Sequence, residues 1–264
     1  QISLTLSTEN SGFAYACNWC SQQASHASHL AFINPDAIVG KDLIYRAKET
    51  LADDIVSLVG FSCKNMKGQP DRNFRRYPGV FSGFLTIADR LFERTKIIRE
   101  EKKFSLDSHY LDGSCMFICR NLFFSANQFE ELFLYGEDVI LCDTLKRKRI
   151  CSNYLTDVSY THARGGSSSS ASGERGWSML PNMVYSELYF LRDRALIVRG
   201  LYLILKFTEL LLLASLYTSI LRKNREKKFF FRQRLFFFLK YSMSFFIKGA
   251  NFAWPEFHVL SKKS

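Results

Sequence analysis

Strand-like apolar runs alternate with helical stretches over the first two thirds of this 264-residue chain. Runs with the length or alternation of a strand lie at residues 2–6, 30–33, 56–62, 111–120 and 157–162. Helical patterns lie at residues 13–27, 36–58, 81–92, 122–131 and 139–145. Such alternation is typical of an α/β fold. It therefore predicts a mainly parallel sheet covered by helices.

One of these runs stops abruptly at a carboxylate. Residues 30–33 are apolar, and Asn34 and Pro35 end the run, because proline cannot donate to a sheet ladder and disfavours helical geometry in its predecessor. Asp36 is therefore presented where the strand ends. In open α/β sheets this edge is where ligands bind. An acidic pair, Glu137 and Asp138, opens the predicted helix at 139–145.

The basic character of the chain belongs to its C-terminal tail. Residues 192–264 contain 15 Lys and Arg but 4 Asp and Glu, a net of +11 that equals the formal charge of the whole chain. Before the tail, a Gly/Ser-rich segment at 165–176 is predicted to be a flexible loop. The cysteines are seven, an odd number without a disulfide-framework spacing, which favours a reducing compartment.

The tail is predicted to form amphipathic helices. Residues 185–221 read as one long helical pattern, and residues 229–247 follow with basic residues on one broad face and Phe on the other. Such helices lie in the interface of an anionic membrane. Residues 201–220 are long enough to span, but Lys206 and Glu209 make spanning costly, so surface-lying or partly inserted helices are favoured over a true span. No RNA- or DNA-binding motif accompanies the basic residues, so nucleic acid is not expected as a partner.

Four stretches, in order, resemble the bacterial family 2 glycosyltransferases of the rhamnosyltransferase type. NSGFAYACN at 10–18 is similar to the family's N-x-G-F-A-x-A-x-N, and FINPDA at 32–37 to its L-N-P-D. DGSCMFICR at 112–120 is similar to G-A-x-x-x-x-R, and FLYGEDV at 133–139 to F-x-Y-x-E-D-x-D-L. The RRYP stretch at 75–78 and His162 also fall in matching places. The resemblance covers roughly residues 1–190.

The resemblance implies a GT-A fold, a Rossmann-like α/β domain, over residues 1–184, with a membrane-associated helical tail over 185–264. It implies transfer of a sugar from a nucleoside diphosphate with Mg²⁺ or Mn²⁺ as cofactor. Asp36 resembles the last Asp of the family's metal motif, and His162 looks like a second contact to the metal or the diphosphate. Hard cations prefer carboxylate oxygens, which suits this assignment.

The remaining site residues also follow from the resemblance. Asp138 resembles the catalytic base of an inverting transfer, and the adjacent Glu137 would orient it, bind acceptor or cap the helix. Residues expected to shape the donor site are Asn10, Gly12, Asn18, Asn34, Arg75, Arg76 and Asp112. Gly12 would permit close backbone approach, and the two arginines would steady the diphosphate or the donor sugar. Alternative interpretations are a structural histidine at 162 and an exposed charged loop at 75–76.

The sequence departs from the family in two places. The second Asp of E-D-x-D-L is replaced by Ile140, with Asp143 three residues further on. Family members also begin with a strand–helix–strand segment that carries V-T-Y-N and D-N-x-S-x-D motifs and holds the base and ribose. The printed sequence starts after that segment, so we expect either a fragment or a truncated product that is inactive.

The expected function is that of a hexosyltransferase in O-antigen or capsule synthesis. The resemblance implies transfer of rhamnose from dTDP-rhamnose to a saccharide linked to polyprenyl diphosphate, at the cytoplasmic face of a bacterial inner membrane. A galactosyl, galactofuranosyl or mannosyl donor is an alternative. A catalytically inactive, membrane-associated remnant is an alternative of another class, and homo-oligomerisation is left open.

Overall fold

The computed structural model describes residues 8, 10–53, 55–80, 104–163, 180–219 and 225–252. Three predicted features lie outside the described residues. These are the strand at 2–6, the helix at 81–92 and the Gly/Ser loop at 165–176.

Residues 10–163 form the α/β half of the molecule. Its helices are α1 (Phe13–Gln23), α2 (Lys41–Leu51), α3 (Arg120–Ser125) and α4 (Glu137–Arg147). Its longer strands are β1 (His29–Ile33), β3 (Val56–Lys64), β7 (Cys115–Cys119) and β8 (Cys151–His162), and its short strands are β2 (Ala37–Ile38), β4 (Pro70–Asp71), β5 (Phe74–Arg76) and β6 (His109–Leu111).

The described strands form one large mixed sheet and one small one. The large sheet has the order β1-β7-β3-β8-β2, with β4 paired to β3, and β5 pairs with β6 in the small sheet. Because β7 is antiparallel to both β1 and β3, while β3 and β8 are parallel, β1, β3 and β8 share one direction. The α/β class is confirmed. Three of the four longer strands, β1, β3 and β8, run in the same direction. Of these, β3 and β8 are direct neighbours, whereas β7 lies between β1 and β3.

The large sheet is covered on both faces. Alternation along β7 shows this, since Met116 and Ile118 pack with α1, α3 and α4, while Cys115 and Phe117 pack with α2. Successive strand residues point to opposite faces, which is why the strand is buried throughout. The result is a three-layer arrangement whose sheet edges carry the polar residues discussed below.

Two sequence predictions in this half were refined by the structure. The helical pattern at 36–58 begins with the short strand β2, and α2 occupies only Lys41–Leu51. The predicted strand region 111–120 is divided into β6 and β7 by a turn at 112–114. Both differences come from cross-strand pairing with distant segments, which local periodicity does not report.

Residues 180–252 form the helical half. It contains α5 (Leu180–Phe190), α6 (Leu196–Ser219), α7 (Arg225–Lys248) and a short 3₁₀ turn at Gly249–Asn251. The prediction of one continuous helical pattern over 185–221 was wrong, because the chain turns at residues 191–195. Arg199 Nη1 donates to the Phe245 carbonyl oxygen at 3.2 Å, so the start of α6 lies beside the end of α7 and the two helices run antiparallel.

The predicted two-sided amphipathicity of α7 was also wrong. Phe231, Phe238 and Phe245 are buried against α5 and α6, but Phe229 and Phe236 are exposed. The runs of Phe at 229–231 and 236–238 place aromatic rings on several faces of one helix, because neighbouring residues lie about 100° apart around the axis. In the described parts of the chain, no helix combines the length and the apolar character that crossing a bilayer requires.

Candidate functional site

The carboxyl ends of β1 and β8 bring two of the predicted residues together. The carbonyl oxygen of Asn34 accepts the N–H of Ala37 at 3.0 Å, which closes a turn around Pro35 and Asp36. Strand β2 then pairs with β8 so that Ala37 lies opposite His162. The carbonyl oxygen of Asp36 also accepts the N–H of Ala163 at 3.0 Å. Asp36 is thus held beside His162 by main-chain pairing alone.

Their side chains contact each other directly. Asp36 Oδ1 lies 3.0 Å from His162 Nε2, and both side chains are largely buried. His162 Nδ1 is buried without a hydrogen-bond partner among the described residues. The structure therefore brings one histidine nitrogen and one carboxylate together at the sheet edge, and that they form a metal site stays a prediction.

This pair fits a divalent cation. At 3.0 Å the two atoms are at hydrogen-bond distance, and two adjacent ligands of an octahedral ion with bonds of about 2.1 Å would lie about as far apart. No group of three or more His, Cys, Asp or Glu side chains converges within the described residues. A cation here would therefore have two protein ligands, and the rest would be water or diphosphate oxygens. Mg²⁺ is commonly held by one or two carboxylates and substrate phosphates, and here Asp36 offers the carboxylate while His162 offers a nitrogen.

The second part of the site is the start of α4. Gly136 has a φ of 98° and precedes Glu137 and Asp138. A Cβ at this glycine would lie 2.7 Å from Ser186 Cβ in α5, so both the conformation and the space favour glycine. Asp138 Oδ1 accepts the N–H of Val139 at 2.7 Å, and Oδ2 accepts the N–H of Gly113 at 3.2 Å. The carboxylate is therefore fixed in orientation yet half-buried rather than closed off.

The environment raises the pKa of the Asp138 carboxyl. Burial is the main cause, and the negative charge of Asp112 adds to it, while the two N–H donors and Arg75 act in the opposite direction. Burial, and then the charge of Asp138, also raises the pKa of Glu137. Glu137 is buried, and its Oε2 has no hydrogen-bond partner among the described residues. A raised pKa makes each carboxylate a stronger base once ionised, and of the two it is Asp138 that two N–H donors hold in one orientation.

Ser114 connects the two parts and was missed in the sequence. Its carbonyl oxygen accepts the N–H of Asn34 at 3.0 Å, and its Oγ lies 2.6 Å from the hydroxyl of Tyr160. Tyr160 is two residues before His162 and so lies on the same face of β8. Gly113, next to Ser114, holds Asp138. A continuous path of hydrogen bonds and short chain segments thus joins the Asp36–His162 pair to Asp138.

Arg75 and Arg76 do not share one environment. They are consecutive in β5, so their side chains leave opposite faces of the strand. Arg75 Nη2 lies 3.8 Å from Asp112 Oδ2, and its charge acts on Asp138. Arg76 pairs in register with His109. Of the two predicted donor-binding arginines, Arg75 is therefore the one that the structure brings to the site, together with Asp112.

Gly12 and Asn10 shape the entry to α1. Gly12 has a φ of 89°, and a Cβ there would lie 2.1 Å from the carbonyl oxygen of Phe133. The close backbone approach expected of Gly12 exists, but the group approached is the segment leading to Glu137 and Asp138. Asn10 Oδ1 accepts the N–H of Gly12 at 3.1 Å, which forms a local turn. Direct donor contact by either residue stays a prediction.

Asn18 has a structural role in this geometry. Its Nδ2 donates to the Phe129 carbonyl oxygen at 2.8 Å, and its Oδ1 accepts the Phe129 N–H at 3.0 Å. The Asn18 amide is buried, and both its nitrogen and its oxygen are hydrogen-bonded to the Phe129 main chain. The predicted contact between Asn18 and the donor is therefore not supported. Asp143, the other acid of α4, accepts a hydrogen bond from Arg147 one turn later and does not join the site.

Tyr135 is a further residue that sequence reasoning passed over. It is exposed, has a φ of 69°, and stands two residues before Glu137. Burial raises the pKa of its hydroxyl, and the charges of Glu137, Asp112 and Arg75 act on it as well. The Tyr135 hydroxyl is therefore close enough to the charged residues of the site to feel their charges. The F-x-Y spacing before Glu137 and Asp138 was the signal that could have identified it.

Comparisons with known proteins add a likeness in shape. No family model matches the chain, and no curated protein matches it. Among solved structures, the mannosyltransferase PcManGT from Pyrobaculum calidifontis, in complex with GDP-Man and Mn2+, is 14% identical and has a TM-score of 0.48. The alignment covers 94% of this chain and 69% of that one. A likeness of this degree neither assigns an activity nor fixes a substrate.

Proposed function

We propose that this chain is an inverting, metal-dependent glycosyltransferase. It would move a sugar from a nucleotide-sugar donor to a saccharide hydroxyl. One observation carries the proposal: the Asp36–His162 pair and the Asp138 carboxylate lie at one end of the sheet and are joined through Ser114. The Asp36–His162 pair is suited to binding a cation, and the Asp138 carboxylate is suited to accepting a proton. Such a transfer requires both.

The donor side of the reaction concerns a leaving diphosphate. Asp36 and His162 would hold Mg²⁺ or Mn²⁺, which when bound neutralises charge that develops on the diphosphate. Arg75 is half-exposed and contributes further N–H donors for diphosphate oxygens. The turn at residues 34–37 and the pairing of β2 with β8 keep the two ligands in place without help from the substrate.

The acceptor side of the reaction concerns one hydroxyl proton. Asp138 would take that proton on a carboxylate oxygen while the hydroxyl oxygen bonds to the anomeric carbon. The bond from that carbon to the diphosphate breaks on the opposite face, so the configuration inverts. Gly113 and Val139 hold the carboxylate in one orientation through both oxygens, and each oxygen keeps a second lone pair for the acceptor.

The finer assignments remain part of the proposal. The resemblance of the four motifs favours rhamnose from dTDP-rhamnose, with galactosyl, galactofuranosyl and mannosyl donors as alternatives. The acceptor would be a saccharide on polyprenyl diphosphate, for O-antigen or capsule synthesis at the cytoplasmic face of a bacterial inner membrane. The basic, apolar helical half is the feature that supports a lipid-linked acceptor.

The deciding experiment is the substitution Asp138→Asn. Removing the base is expected to lower transfer about 10²–10⁴-fold while leaving donor binding intact. Transfer would be measured with dTDP-rhamnose, GDP-mannose and UDP-galactose in the presence of Mn²⁺ and a synthetic polyprenyl-diphosphate-linked saccharide. Donor binding would be followed by titration calorimetry with dTDP and Mn²⁺.

The matched control is Asp143→Asn, in the same helix. Asp143 is bonded to Arg147 rather than to the site, so this variant is expected to keep transfer. Wild-type turnover in Asp138→Asn would refute the base assignment. If the wild-type chain gives no heat with dTDP and Mn²⁺, and neither protects it from unfolding, a non-catalytic membrane-associated chain is the better description.

A further inference from the structure

The outward face of α6 is apolar. Exposed residues recur at three- and four-residue spacing, which places them on one side of the helix. Ile197 and Ile204 are 79% and 65% exposed. The other exposed apolar residues on this face are Leu201, Phe207, Leu211 and Leu212. An exposed apolar stripe of this length indicates a contact with another surface, because its exposure to water is unfavourable.

The outward face of α7 continues this surface. Met243 is 68% exposed, and the other exposed apolar residues are Phe229, Phe236, Leu239, Phe246 and Ile247. The two helices pack side by side, since a Cβ at Gly200 in α6 would lie 3.3 Å from the Phe246 ring in α7. We call the exposed apolar residues of both helices the outer face.

A group of charged side chains lies on the inner side of these helices. Lys206 and Glu209 are only 7% and 4% exposed. Lys206 Nζ lies 3.0 Å from Glu209 Oε2 and 3.0 Å from Glu187 Oε1 in α5. Arg234 of α7 donates to Glu187 Oε2 at 3.0 Å. Burial alone would raise the pKa of Glu187, but Lys206 and Arg234 outweigh it and lower the pKa to about 2. The helical half thus buries a group of ions within an otherwise apolar interior, and its outer face is apolar as well.

The charges around the outer face indicate which partner covers it. Among the side chains that the structure describes in α6 and α7, the exposed charged ones are Arg232, Lys240 and Lys248, and all are basic. A symmetric second copy would bring these cations against themselves. An anionic lipid surface accepts both the apolar residues and the cations, each cation near such a surface being favourable.

We propose that the outer face of α6 and α7 lies flat in the interface of an anionic bilayer. This placement fixes the membrane plane relative to the site. Ser186 of α5 packs on Gly136, immediately before Glu137, and the next residue, Glu187, holds both α6 and α7. Helix α5 therefore couples the membrane-facing hairpin to the proposed base. That this coupling presents a lipid-linked acceptor rests on the proposed function, but the binding itself does not.

Vesicle binding of the full chain tests the proposal. Sedimentation with vesicles of phosphatidylglycerol and phosphatidylcholine would be compared with pure phosphatidylcholine, without donor or acceptor. Ile204→Glu and Met243→Glu are each expected to weaken partitioning into the vesicles about tenfold or more. Each replaces an apolar side chain that would enter the bilayer with a negative charge, which an anionic surface repels. Lys240→Glu is expected to weaken binding to the anionic vesicles and leave the weaker neutral binding unchanged.

The matched control is Ile55→Glu, which alters a 70% exposed isoleucine in the α/β half. It should bind vesicles as the wild type does. Equal binding by Ile204→Glu, Met243→Glu and Ile55→Glu would overturn the proposal. The proposal would also be overturned if the wild type does not bind anionic vesicles but self-associates in analytical ultracentrifugation, and if Ile204→Glu abolishes that self-association. Because no transfer is measured, absence of glycosyltransferase activity would leave the vesicle result standing.

Discussion

The α/β half and the helical half place their charges in opposite ways. In residues 10–163 the core is apolar, and the acids Asp36, Asp112 and Asp138 gather at an open edge of the sheet. In residues 180–252 a group of ions is buried between three helices, while the outer face is apolar. The comparison separates two uses of charge. Ions at the open edge are available for chemistry, whereas buried ions hold helices in a fixed arrangement.

This difference has an energetic meaning. Burial raises the pKa values of Glu137 and Asp138 at the start of α4, so the fold does not favour the ionisation of these two carboxyls. Glu187 is the reverse, since two cations compensate it and lower its pKa. Removing a charge should therefore destabilise the helical half strongly and leave the α/β half as stable or more stable. Charge-removing substitutions in the two halves test that contrast.

The largest effect is expected from Lys206→Met. It leaves Glu209 buried without its cation, and breaking one side of a buried ion group costs about 3–5 kcal/mol. The measurement is the free energy of unfolding in urea. Lys240→Met, on the exposed side of α7, should change that free energy by less than about 0.5 kcal/mol. The double variant Lys206→Met with Glu209→Met should recover much of the loss, and equal losses for Lys206→Met and Lys240→Met would contradict a structural role.

A smaller effect, on ligand binding rather than folding, is expected from Asp36→Asn. Loss of one of two protein ligands should weaken Mn²⁺ binding in the presence of dTDP by roughly tenfold or more. Titration calorimetry and the paramagnetic signal of Mn²⁺ would both report it. Asp42→Asn, an exposed acid in the first turn of α2, is the control. Unchanged Mn²⁺ binding in Asp36→Asn would remove the metal role from this edge.

The smallest effect concerns the pH dependence of stability. A carboxyl whose pKa is raised in the folded state contributes stability that is complete below its ordinary pKa and is lost as pH rises through the raised value. Asp138→Asn and Glu137→Gln should therefore be more stable than the wild type at neutral pH, by about 1 kcal/mol, the worth of one pKa unit. Melting temperatures at several pH values would show it. A variant less stable than the wild type at neutral pH would mean that these carboxyls are paired after all.

Much of the α/β half follows from local sequence. The run at 30–33 ends at Asn34 and Pro35, and the acids at 137–138 open a helix, because proline and helix-start preferences act within a few residues. The short strand β2 and the connection through Ser114 could not be predicted. Both depend on pairing with segments far along the chain, and a two-residue strand or a single buried serine leaves no periodic signal.

The helical half shows the opposite limit. Lys206 and Glu209 are three residues apart in the sequence, so a helix places them on one face, and they do pair. Their burial was not foreseen, since Glu187 and Arg234 come from two other helices. Hydropathy alone could not decide which side of α7 faces inward, because phenylalanines occupy several of its faces. Tertiary packing made that choice.

The contact between Asp36 and His162 joins positions that are 126 residues apart. It can form only when β8, the last strand of the sheet, has docked. The entropic cost of closing this long loop therefore arises late in folding. Stabilising a contact of this kind slows unfolding more than it speeds folding. A cation bound by this pair would stabilise the finished sheet, and the lifetime of the folded chain would lengthen with occupancy of the site proposed to bind the donor.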